Sequence, residues 1–195
     1  MINVFGCKTG QEEIDEVSDV LRSQWLGLGK KVDQFEKELA KRNGFRSIVM
    51  TDSCSNSLYT AIRMFNLPPG TEVILPSFTF VSCAHAVVLN NLVPVFCDVE
   101  LNTMNVSLET IMPHITPKTG LIMVVHYAGL PVDVPKIATL GIPILEDAAC
   151  AIDSKLGDTY CGGLGDVGCF SFDSMKNLSC GEGGAITSVS PTYIE

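Results

Sequence analysis

The chain is poor in positive charge: thirteen Lys and Arg stand against twenty-two Asp and Glu, for a net charge of -9, and they form no basic patch. A phosphate backbone is held by clustered cations, so this balance argues against a nucleic-acid partner. Histidine is scarce as well. His85, His114 and His126 are dispersed, and the eight cysteines, at 7, 54, 83, 97, 150, 161, 169 and 180, contain no CxxC pair and no repeated spacing. Neither a metal cluster nor a disulfide framework follows from such a pattern. No metal is expected; most cysteines read as reduced, buried small residues, and each histidine as a core or surface residue. Long apolar runs are missing too. The N-terminal MINVFGCKTGQEEIDEV has no basic flank leading into an apolar stretch, and no segment is apolar over membrane-spanning length, so the reading is cytoplasmic, with no membrane partner.

What is present is a globular composition, 46% hydrophobic and 18% charged, in a chain long enough to bury one core. Ile14, Val17, Val20 and Leu21 fall at helical spacing within Gln11 to Ser23, with acids toward the start where the helix dipole favours them. After Trp25-Leu26-Gly27-Leu28-Gly29, Val32, Phe35, Leu39 and Ala40 form a second helical stripe ending at Asn43-Gly44. Residues 1–45 thus read as flanking helices. Trp25 reads as a packing anchor, with a place in a ligand site as the alternative. From Ser47 on, short apolar runs recur at Ser47–Met50, Glu72–Leu75, Val93–Val99, Leu121–His126, Pro143–Glu146, Val167–Phe172 and Ala185–Ser188, with helical segments between several of them. Near-continuous runs such as LIMVV at 121–125 suit a sheet covered on both faces. The prediction is a single α/β domain with its core over residues 46–190: three layers, α/β/α, around a mostly parallel seven-stranded sheet.

Four strand ends carry chemically suggestive residues. Thr51-Asp52-Ser53-Cys54-Ser55 precedes a helical stripe through Leu58, Ile62 and Phe65, which puts hydroxyls and unpaired N–H groups at a helix start able to hold a phosphate, with Ser53 or Ser55 adding a side-chain bond. A plain N-cap is the simpler account of those residues. Phe78 and Phe80 follow the next strand, where one of them could stack on an aromatic ring or pack in the core. Glu146 and Asp147 end an otherwise apolar strand, and Asp147 there calls for a cation or a helix to cap. Lys176 comes just after the strand Val167–Phe172 and before Gly181, Gly183 and Gly184, at the carboxyl edge where open α/β sheets bind ligands. A phosphate seat, a stacking ring, a carboxylate and a lysine together suit pyridoxal 5'-phosphate, with Asp147 on its ring nitrogen and Lys176 on its aldehyde. Such a lysine must be neutral to attack a carbonyl, so a dry site with cationic neighbours is expected around it.

In order along the chain, SFTFVSCAHAV, PVFCDVELNTMNV, VVHYAGLP, ILEDAA, GDVGCFSFDSMKN and GEGGAI resemble the sugar aminotransferases of the DegT/DnrJ/EryC1/StrS family, which have the fold-type I aspartate aminotransferase architecture. The resemblance implies transfer of an amino group, with glutamate as donor, onto a keto-sugar nucleotide in cell-surface polysaccharide or secondary-metabolite biosynthesis, by a homodimer. It matches Lys176 to the family's Schiff-base lysine and proton shuttle, Ser171 to a phosphate ligand, Asp147 to the partner of the ring nitrogen and Phe80 to the ring-stacking residue. The phosphate turn matches Ser53, Cys54 and Ser55, Cys54 through its N–H and Ser55 through its hydroxyl. Cys150 stands where the family usually has Gln or His near the cofactor's phenolic oxygen, and a thiol is a weak donor. Related sugar 3-dehydratases carry histidine in place of the lysine. Family members continue into a smaller C-terminal domain that is absent from these 195 residues, so an inactive cofactor-binding or dimerisation module is the non-enzymatic alternative.

Overall fold

The computed structural model describes residues 8–193; Cys7 and the start of the N-terminal segment read above lie outside them. Helices α1 (Gln11–Ser23) and α2 (Lys30–Asn43) come first. The Glu13 carboxylate accepts the Gly10 N–H at 2.6 Å at the start of α1, and Gly44, at φ 72°, closes α2 in the left-handed conformation glycine adopts without strain. The alternating region follows as β1 (Ser47–Thr51), α3 (Cys54–Met64), β2 (Glu72–Pro76), α4 (Val81–Leu89), β3 (Val93–Cys97), α5 (Leu108–Ile111), β4 (Thr119–Val125), α6 (Val134–Ala138) and β5 (Ile144–Asp147). A small ribbon, β6 (Lys155–Leu156) with β7 (Thr159–Tyr160), precedes β8 (Val167–Ser171) and β9 (Gly184–Ser188).

Seven strands form one sheet in the order β1-β9-β8-β5-β4-β2-β3. Every pairing from β8 to β3 is parallel, and β9 alone runs against its neighbours β1 and β8. The mostly parallel seven-stranded sheet is therefore as expected, with strand ends displaced by one or two residues: β3 stops at Cys97, and β4 runs from Thr119 to Val125 so that His126 falls just outside it.

Side-chain alternation along the strands builds the three layers. Leu121 and Met123 of β4, Val73 and Leu75 of β2 and Leu145 of β5 pack under Leu58, Ile62, Cys83 and Val87 of α3 and α4. Ile122, Val124, Ile74 and Ile144 face the other way, onto Ile111 of α5 and Val134 and Ile137 of α6. Farther along that second face, Leu39 of α2 joins Phe45, Phe170 and Phe172. Both faces being dry explains the unbroken LIMVV run, and each fully buried Leu, Ile or Phe contributes roughly 1.5–3 kcal/mol.

The N-terminal helices correct one expectation. α1 has no buried residue, and Trp25 is 65% exposed, its indole N–H donating to the Leu28 carbonyl at 2.8 Å. It is satisfied within its own loop and anchors nothing, because no described element packs over it.

Candidate active site

The carboxyl ends of β5 and β8 meet the start of β9 and the end of β1 along one edge of the sheet. Thr51 pairs with Gly184, Gly184 with Ser171, and Asp147 with Cys169 one strand further. A cleft of about 640 Å³ opens there. It draws Ser53, Cys54 and Ser55 from the start of α3, Phe80 from the turn into α4, Asp147 and Cys150 from the end of β5, and Ser171 and Lys176 from β8 and its following loop. The eight residues matched through the family resemblance all line this one space.

Each is held by local chemistry. Ser53 caps α3, its hydroxyl accepting the Asn56 N–H at 3.3 Å, while the first-turn N–H groups of Cys54 and Ser55 have no intrahelical acceptor. The Ser55 hydroxyl pairs with that of Ser82 at 2.7 Å, so the turn leading into α3 is tied to α4. Gly184 lets β9 run beneath this turn: a Cβ there would sit 2.4 Å from the Ser53 carbonyl carbon and 2.6 Å from the Cys54 nitrogen. Phe80 is 71% exposed over the cleft, whereas Phe78 packs against Tyr127 with ring centroids 4.8 Å apart; of the two candidates, Phe80 is the one with a free ring face in the site.

Lys176 follows a tight turn in which the Asp173 carboxylate accepts the Met175 N–H and the Asp173 carbonyl accepts the Lys176 N–H, both at 2.9 Å. Gly181, at φ 92°, completes the return to β9. The Lys176 amine contacts the Cys150 sulfur at 3.4 Å, so Cys150 sits against the lysine. Among the described residues, no Lys or Arg besides Lys176 lines the cleft; its other charged side chains are Asp147, Asp173 and Glu182, so the expected cationic neighbours are not found among them.

Consecutive acids end β5 and the pleat separates them. Asp147, 4% exposed, accepts the Cys83 thiol at 3.0 Å and the Ala149 N–H at 3.0 Å. Glu146 points to the opposite face, wholly buried, where it accepts the N–H groups of Gly162, Leu164 and Gly165 at 2.6 to 2.8 Å and the His126 ring at 2.7 Å. Because His126 Nδ1 accepts the Val132 N–H at 3.0 Å, its Nε2 carries the proton toward Glu146, a tautomer assigned from these bonds.

Of the seven cysteines described, all are free; Cys83, Cys97, Cys161 and Cys169 are buried, Cys54 is half-buried, and Cys150 and Cys180 are exposed. Burial, then the nearby Asp147 charge, holds the Cys54, Cys83 and Cys169 thiols well above their ordinary range, so they stay neutral. Among the described residues no three His, Cys, Asp or Glu side chains converge as metal ligands would, and no helix is long and apolar enough to cross a membrane.

Sequence reasoning missed Thr79, Ser82, Cys83 and Tyr127, which also line or support the cleft. The signal for the first three was their place in and just after the turn following β2, the same turn that carries Phe80.

The cleft lies at the carboxyl edge of an α/β sheet, where open sheets of this class bind ligands, and gathers a lysine, a buried carboxylate and a capped helix start. The chain belongs to the DegT/DnrJ/EryC1/StrS aminotransferase family, whose sequence profile matches residues 8–195. It is 38% identical, over 98% of its length and 51% of the relative's, to the dTDP-4-dehydro-2,3,6-trideoxy-D-glucose 4-aminotransferase of Saccharopolyspora spinosa. The aminotransferase TlmJ from Streptoalloteichus hindustanus superposes with a TM-score of 0.93 at 38% identity, over 98% of this chain and 54% of that one. Spr1654 from Streptococcus pneumoniae, in its PLP-form, superposes with a TM-score of 0.91 at 26% identity, over 98% and 54%. The chain thus spans about half the length of these relatives.

Proposed function

We propose that this chain forms the cofactor-binding domain of a pyridoxal-phosphate-dependent aminotransferase that moves an amino group from L-glutamate to a nucleotide-linked keto-sugar, as a cytoplasmic homodimer, in polysaccharide or secondary-metabolite biosynthesis. The observation that carries the reading is one cleft holding both the Lys176 amine and the buried Asp147 carboxylate.

The residues present fit pyridoxal 5'-phosphate. Asp147 has two protein hydrogen bonds and so retains acceptor capacity on a carboxylate that faces the cleft. The Cys54 and Ser55 N–H groups and the Ser171 hydroxyl would hold the phosphate, Phe80 would cover one face of the ring, and Cys150 would lie on the side of its phenolic oxygen. When bound, the cofactor supplies an electron sink for charge at the carbon bearing the transferred nitrogen. Asp147 would pair with the ring nitrogen and favour its protonated form. The Lys176 amine would hold the cofactor and would take and return the proton at the substrate carbon.

The test is visible absorbance of the purified chain with pyridoxal 5'-phosphate, before and after borohydride reduction, beside Lys176→Ala, followed by product analysis with glutamate and a dTDP-linked 4-keto-sugar. A lysine-dependent band and an amino-sugar product are expected. A band that survives in Lys176→Ala would overturn the assignment, and a deoxy-sugar product would mean a dehydratase.

A further inference from the structure

The turn that presents Phe80 also builds a hydrogen-bonded chain that ends on the site's carboxylate. Thr79 Oγ1 donates to Cys83 Sγ at 3.0 Å, and Cys83 Sγ donates to Asp147 Oδ2 at 3.0 Å. Thr79 and Cys83 stand one helical turn apart across the start of α4, where the Cys83 N–H also donates to the Phe80 carbonyl at 3.1 Å. Cys83 is fully buried in the layer between α4 and the sheet.

The direction of the chain is set by charge. Burial and the neighbouring Asp147 keep the Cys83 sulfur protonated, so it meets the carboxylate as a donor. The Ala149 N–H binds the other oxygen, Oδ1, at 3.0 Å. One donor on each oxygen fixes the plane of the carboxyl group, since rotation about its terminal bond would break both.

We infer that Cys83 is a positioning residue: with Thr79 behind it, its thiol aims the Asp147 carboxylate at a protonated ring nitrogen and ties that aim to the turn bearing Phe80. The inference rests on the proposed cofactor. It assigns this buried cysteine a task that packing alone would not require, because an alanine or valine would fill the same layer without a donor.

The test compares the binding of pyridoxal 5'-phosphate with that of its 1-deaza analogue, in which a C–H replaces the ring nitrogen, measured by absorbance without any turnover. The unaltered chain should prefer the natural cofactor. Losing a hydrogen bond to a charged group is worth about tenfold or more, so Cys83→Ala should shrink that preference by roughly tenfold, while Cys83→Ser, which keeps a donor, retains it within about threefold. Equal weakening of both ligands in Cys83→Ala, with the preference unchanged, would mean that Cys83 only packs, and would overturn the inference. If the unaltered chain shows no preference, or binds neither compound, the cofactor reading itself fails and the inference with it. Should Cys83→Ala not fold, Cys83→Val fills the buried layer without a donor and is read in the same way: a preference reduced by roughly tenfold supports the aiming role, and an unchanged preference overturns it.

Discussion

Glu146 and Asp147 are bonded neighbours whose carboxylates serve opposite faces of the sheet, one locked into backbone amides and the other open to the cleft. Glu146 holds the 162–165 loop and His126 in place from beneath, whereas Asp147 faces the cleft. Glu146→Ala should leave three N–H groups and the His126 Nε2–H without their acceptor. Breaking a buried charged network of this kind costs about 3–5 kcal/mol, which urea denaturation would register as a lower midpoint. A loss below about 1 kcal/mol would mean that water takes over the carboxylate's role.

Gly184→Ala tests the fit between β9 and the turn at Ser53 and Cys54. With backbone atoms 2.4 to 2.6 Å from the added Cβ, the turn at Ser53 and Cys54 must move rather than a flexible side chain. The expected outcome is a destabilisation of about 1–3 kcal/mol, seen in thermal melts, together with weaker binding of pyridoxal 5'-phosphate. Unchanged binding with lowered stability would place the phosphate elsewhere.

Ala128 has φ 51°, a left-handed backbone for a residue with a Cβ, in the turn that brings Tyr127 to the cleft. Buried Asn105 enforces it, accepting the Tyr127 N–H at 3.0 Å and donating to the Leu130 carbonyl at 2.9 Å. Ala128→Gly should relieve the strain and raise stability by about 0.5–1 kcal/mol, whereas Asn105→Ala should lower it by about 1–3 kcal/mol. Denaturation of both variants reads the two signs, and a destabilised Ala128→Gly would contradict the strain.

Alkaline pH should unfold the protein through its thiols. Burial raises Cys97 from 9.0 to about 11 and, aided by the Glu146 charge, Cys161 to about 12. The folded state therefore keeps these protons after the unfolded chain has lost them, so stability is full below about pH 9 and falls as pH rises toward 11 and 12. Urea midpoints across that range should decline, less steeply in Cys161→Ala; equal slopes would remove Cys161 from the account.

How much of this was legible in advance differs by element. The helices at 11–23 and 30–43 and all seven sheet strands were readable because apolar spacing, glycine stops and acidic starts are local properties of the chain. So were the cleft residues, which sit at strand ends, where a polar side chain after an apolar run has few places to go but the sheet edge. Tertiary structure alone decided that Glu146 and Asp147 part company, since which face of a strand is the cleft depends on the helices laid over it. It also decided that Cys83 touches Asp147 across 64 residues of sequence and that Trp25 stands free. Those facts arise from contacts between segments far apart in the chain, and local pattern carries no record of who the neighbours will be.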